Sequence, residues 1–151
     1  MSPNGTRTWV LVAHRAGARI LEHGGPGKGL TLLDEIDHPD GRKLEGEIDS
    51  DRAGNLQGPG RTGGHAASKH QTAHEHDAQV FAQGLAGRLQ QGRQANRYAR
   101  LVLVAEPHFL GVLKGVLDTA TAKAITATVG KDLAATRTDE LAAHLQGVLA
   151  V

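Results

Sequence analysis

The chain has no cysteine, and only one tryptophan, one tyrosine and two phenylalanines among its 151 residues. Without cysteine there are no disulfides, no thiol catalysis and no thiolate metal site. With aromatics at 3%, a row of rings on which single-stranded bases could stack is not expected. Neither sign of charge dominates: Lys plus Arg number 17 against 16 for Asp plus Glu, a formal net charge of +1, so no overall field draws the protein onto nucleic acid or a membrane surface. No apolar run approaches the roughly 20 residues of a membrane span, and residues 1–8 are polar with no apolar signal core. These absences lead us to expect a soluble, cytoplasmic protein without a membrane partner. At 39% hydrophobic residues, the length suits a single domain large enough to bury a core.

Trp9-Val10-Leu11-Val12-Ala13 and Leu101-Val102-Leu103-Val104-Ala105 are unbroken apolar runs, as expected of central strands covered on both faces. A turn at Arg15-Ala16-Gly17 leads into residues 18–22, which pair back as a hairpin. Residues 23–29 carry four glycines and Pro26; no helix follows to make Gly24-Gly25-Pro26-Gly27-Lys28-Gly29 a phosphate loop, so it reads as a connection. Residues 30–36 form a third strand, with Leu30, Leu32 and Asp34 on one face and Thr31 and Leu33 on the other. Residues 38–71 lack periodicity and read as a long loop. Thr72-Ala73-His74-Glu75 matches a capping box that starts a helix at Ala73. Its buried stripe is Val80, Phe81, Leu85 and Leu89, and it stops at Gly92 after about five turns. Pro107 opens a helix with the stripe Leu110, Leu113, Val116 and Leu117; Ile125, Ala127 and Val129 mark a last strand; a closing helix capped near Thr138 faces Leu141, Leu145, Val148 and Leu149 inward.

The order βββαβαβα, with right-handed crossovers, predicts an α/β domain: a mixed five-stranded sheet of order 3-2-1-4-5 with helices on its faces, the ribonuclease H-like architecture. Such nucleases hold two metal ions with carboxylates that begin on the first strand, and this first strand has none. The parallel strands should bring His14, Glu106, His108, Lys131 and Asp132 to one carboxyl edge, where open α/β sheets bind ligands. Such a cluster could bind an anion or move a proton; alternatively Asp132 is a cap and His14 a turn residue. His65, His70, His74 and His76 fall close together, but the capping box leaves His70 outside the helix, and His74 and His76 are two apart and diverge. His65, His74 and His76 are therefore the nearest approach to a metal set, with no cofactor or metal expected.

Several blocks carry a family resemblance: the first strand with His14-Arg15-Ala16-Gly17-Ala18-Arg19-Ile20-Leu21, then Gly64-His65-Ala66, then His74-Glu75-His76 with Phe81-Ala82. Leu101 to Pro107 with Phe109-Leu110-Gly111, and Lys131-Asp132-Leu133, complete it. In this order they resemble the bacterial host-attachment protein family, itself similar to the central domain of archaeal and eukaryotic peptide-chain release factors. That likeness implies a ribonuclease H-like domain whose Gly-Gly-Gln loop contacts the ribosome or transfer RNA, here with Gly63, Gly64 and His65 in the matching stretch. His65 stands in place of the glutamine, which favours docking over catalysis. Arg52, Arg61 and Lys69 are the phosphate-contacting candidates of the same stretch, offset locally by Glu45, Glu47, Asp49 and Asp51. The leading expectation is thus a non-enzymatic, translation-associated binding domain. An esterase acting on peptidyl-transfer RNA through His65 is the alternative, and a surface adhesin, as the family label suggests, conflicts with the polar N-terminus.

Overall fold

The computed structural model describes residues 7–25, 27–39 and 61–148, with side chains in the stretch 61–74 described only for Ala73. The first strand, β1 (Thr8–His14), lies at the centre of the sheet. It pairs antiparallel with β2 (Gly17–His23), which pairs antiparallel with β3 (Leu30–Asp37). On its other side β1 pairs parallel with β4 (Arg100–Val104), and β4 pairs parallel with β5 (Ile125–Val129). The sheet order β3-β2-β1-β4-β5 is the one expected.

Alternation along the two central strands divides the core. Trp9, Leu11, Ala13, Leu101, Leu103 and Ala105 face α1 (Arg61–Gln94) and α2 (Pro107–Val116), whose Phe81, Leu85, Leu89, Phe109 and Leu113 complete the larger cluster. Val10, Val12, Val102 and Val104 point the other way, against Leu133, Leu141 and Leu145 from the loop after β5 and from α4 (Thr138–His144). The unbroken apolar runs are thus explained by burial on both faces. One short helix, α3 (Thr119–Lys123), precedes β5 and was not expected; Asp118 caps it by accepting from the Thr121 amide.

Four expectations are corrected. The long helix begins at Arg61, not Ala73, so residues 61–71 are not loop. Ala66, Ala67, Lys69 and Gln71 suit a helix, so the Thr72–Glu75 pattern, being only local, recurs inside one. The helix also runs past Gly92 to Gln94, with Asn96 taking the left-handed conformation (φ 59°) that often closes a helix. Gly92 serves close packing instead: a Cβ there would lie 2.6 Å from the Trp9 ring. Val80 is 48% exposed and Val148 39% exposed, because the inward positions of their segments are taken by Ala78, Ala82 and Leu145. Finally, Leu32 and Asp34 do not share a face. Leu32 pairs with Leu21 and Asp34 with Ile20, so Leu33 is an extra residue in the edge strand. A bulge of this kind reverses the alternation beyond it, which puts Leu30 against the α4-side core and Ile36 against the α1-side core.

Candidate site at the carboxyl edge of the sheet

The turn between β1 and β2 and the far end of β3 meet at the carboxyl edge, because an antiparallel meander returns its third strand to the level where the first one ends. His14 is opposite Gly17, and Gly17 opposite Asp37. Together with Ala134 these elements enclose a cleft of about 480 Å³, whose polar lining is His14, Arg19, Glu35 and Asp37. The His14 Nδ1 accepts the Ala16 amide at 3.3 Å, which ties the ring to the turn. Ala16 in turn accepts the His38 amide through its carbonyl at 2.9 Å.

Arg19 reaches across the sheet to the loop after β5. Its terminal nitrogen donates to the carbonyls of Leu133, Ala134 and Thr136 at 3.1, 3.2 and 2.7 Å. The guanidinium thereby holds a loop more than a hundred residues away and leaves fewer donors for any ligand. His38, at the end of β3, is bound to α1. Its Nε2 lies 3.0 Å from both oxygens of Asp77, and its ring stacks on Phe81 with centroids 4.3 Å apart. Both side chains are mostly buried, at 16% and 15% exposure.

Of the five residues expected at this edge, only His14 lines the cleft. Glu106 caps α2, accepting the amides of His108 and Phe109 at 3.0 and 2.7 Å. Asp132 accepts the Ala134 amide at 3.1 Å, so it caps a turn. Lys131 is exposed, and His108 lines a separate groove between α1 and α2 with Glu75 and Gln79. The edge is therefore a set of capping and bracing contacts around one cleft, not a single charged cluster.

Arg52 lies outside the described residues. Arg61, Gly63, Gly64, His65 and Lys69 fall in the first turns of α1, and His74 further along; apart from Ala73, side chains through His74 are outside the described set. His76 is an exposed helix residue. Among the described residues no three histidine or carboxylate side chains converge in a way that could hold a metal ion, nor is any helix long and apolar enough to cross a membrane. Arg19, Glu35, Asp37, His38 and Asp77 were not anticipated. The meander alone places Asp37 and His38 level with His14, which is the signal that could have found them; nothing local marks Arg19 or Asp77.

No curated protein matches the chain. A family model, described as "Protein required for attachment to host cells", matches residues 9–145.

Proposed function

The chain belongs to the family of proteins required for attachment to host cells, and from that premise we propose that it is a non-enzymatic binding domain that engages the ribosome or a transfer RNA through residues 42–69. The observation that carries binding over catalysis is the use made of the edge's charged groups. Glu106 and Asp132 accept backbone amides, Arg19 holds three carbonyls, and His38 is held by Asp77. Carboxylates engaged as caps are poor general bases, since their lone pairs are directed at fixed donors. The same contacts anchor the chain just before the proposed binding segment, at His38, and brace, at Asp77, the helix that contains the segment's last residues. A scaffold of that kind suits presentation of a segment to a partner.

The nature of the partner rests on the sequence. Gly63-Gly64-His65 resembles the Gly-Gly-Gln motif of release factors, though it lies in the first turns of α1 and not in a loop, and Arg52, Arg61 and Lys69 supply local cations for phosphates. Such contacts position a protein on RNA without an overall positive field, and their strength falls with salt. The test is co-sedimentation with ribosomes at moderate salt, comparing the wild type with a variant carrying Arg52→Gln, Arg61→Gln, His65→Ala and Lys69→Gln. The wild type should pellet with the ribosomes and the variant should not. A wild-type protein absent from every ribosomal fraction would remove the reading.

A further inference from the structure

The amino ends of the parallel strands and the turn from β2 to β3 share the edge of the sheet opposite the cleft, since Thr8 is opposite both His23 and Arg100. The topology brings a cation to four neighbouring places along that edge. Lys28 lies in the β2–β3 turn, Arg7 precedes β1, Arg100 opens β4, and Lys123 precedes β5 by two residues. At the ordinary spacing of strands the row is about 15 Å long. Backbone contacts fix its members relative to one another. The Arg7 carbonyl accepts the amides of Ala99 and Arg100 at 3.1 and 3.4 Å, and the Ala124 carbonyl, next to Lys123, accepts the Leu101 amide at 2.9 Å. In the β2–β3 turn the Lys28 amide donates to the Gly25 carbonyl at 3.1 Å.

Few carboxylates answer these cations. Glu22 lies 3.9 Å from Arg7, a loose surface pair, and Asp118 is engaged by Arg93 at 3.6 Å and by the Thr121 amide. Lys28, Arg100 and Lys123 are exposed and form no ion pair among the described residues. The carboxyl edge is the acidic one, with Glu35, Asp37, Glu106 and Asp132 against Arg15 and Lys131, while Arg19 is engaged by carbonyls. A net charge of +1 therefore averages two unlike ends, and the field at the amino edge is positive. The chemistry of the row selects its partner. Protein interfaces centre on aromatic or aliphatic anchors, yet none of the exposed large apolar residues, Leu32, Leu33, Val80 and Val148, belongs to these turns. The nearest rings, Trp9 and Tyr98, are buried, so unpaired bases have nothing to stack on. We infer that the amino edge is a docking surface for the phosphate backbone of a nucleic-acid duplex, held by Lys28, Arg7, Arg100 and Lys123 without reading sequence. It shares no residue with the segment 42–69 and stands or falls separately from that reading.

The test follows the fluorescence anisotropy of short labelled duplexes, RNA in one arm and DNA in the other, titrated with the full chain at several salt concentrations. Saturable binding that weakens with salt is expected, and the tighter arm identifies the duplex. A variant carrying Lys28→Gln, Arg100→Gln and Lys123→Gln should bind about tenfold more weakly. Its log–log salt slope should be shallower by about 2–3, close to 0.9 for each lost phosphate contact. A second variant, with Arg15→Gln, Lys131→Gln and Arg137→Gln, removes the same charge from the carboxyl edge and should change the affinity by less than about twofold. Far-UV circular dichroism checks that both are folded. Equal weakening in the two variants would overturn the inference, because net charge alone would then account for it. Absence of duplex binding would overturn it too, as would poly-glutamate displacing the labelled duplex as effectively as unlabelled duplex does. The variant with Arg52→Gln, Arg61→Gln, His65→Ala and Lys69→Gln separates the two surfaces. Duplex binding kept there and lost in the amino-edge variant supports the inference; the reverse overturns it and leaves the ribosome reading standing.

Discussion

Two glycines eight residues apart on α1 should respond to alanine with opposite signs. Gly84 is exposed and a Cβ there meets nothing within 4 Å. Gly84→Ala therefore relieves only the entropic cost of glycine in a helix interior and should stabilise by about 0.5–1 kcal/mol. Gly92 is buried, and its Cβ would lie 2.6 and 2.7 Å from two atoms of the Trp9 ring and 3.2 Å from Tyr98. The indole cannot swing aside cheaply, being 6% exposed and flanked by Tyr98. Overpacking at such a position costs about 1–3 kcal/mol, against a helix-propensity gain reduced to roughly 0.5 kcal/mol near the helix end. The expected net loss is about 1–2 kcal/mol, or a fall of about 3–6 °C in Tm for a domain of this size. Urea unfolding followed by far-UV circular dichroism measures both variants without relying on the indole signal. Trp9→Phe in the Gly92→Ala background should recover part of the loss, because the smaller ring frees the contact; the non-additivity measures the clash. Equal stability of Gly84→Ala and Gly92→Ala would refute the packing argument.

Burial pushes the phenol of Tyr98 up to about 12. As Tyr98 is the only tyrosine, absorbance near 295 nm should show no phenolate at pH 10 and a midpoint near 12 in the folded protein, and a midpoint at 10 would contradict its burial. Because the folded value lies above the unfolded one, this group's contribution to stability is complete below pH 10 and is lost as pH rises towards 12. Arg19→Gln removes donors from the carbonyls of Leu133, Ala134 and Thr136 and should cost about 1–3 kcal/mol, with faster amide hydrogen exchange in residues 133–136; unchanged exchange would show that the loop stands without it. Hydrogen bonds from Thr121, chiefly its side chain, hold the Asp118 carboxyl below its ordinary value. Its stabilisation is therefore present above the ordinary carboxylate range and lost as pH falls through the lowered value, so Asp118→Asn should be the weaker protein in urea at neutral pH, and the difference should close on acidification.

Much of the fold was legible because its signals are local and redundant. The two apolar runs declared central strands, Gly17 a tight turn, and Pro107 a helix start, and chain order with right-handed crossovers then leaves few sheet topologies. The errors came where a local signal competes with a longer one. The capping-box pattern at Thr72 is genuine in composition, yet the helix passes through it. Gly92 has the composition of a stop, but Asn96 takes the left-handed conformation while Gly92 admits the indole. At the carboxyl edge the charged residues were expected to converge; Glu106 and Asp132 instead serve the nearest free amides, which carboxylates beside helix and turn starts readily satisfy.

What the sequence by itself determined is what neighbouring residues encode: which segments are strands or helices, and which strands must be buried on both faces. Tertiary structure alone decided the single-residue bulge at Leu33, the reach of Arg19 to the loop after β5, the pairing of His38 with Asp77, and the indole held between Gly92 and Tyr98. Each of these depends on distances between residues remote in the chain or on one residue's slip in register. No periodicity records such distances; they exist only once the sheet has twisted and the helices have settled on its faces.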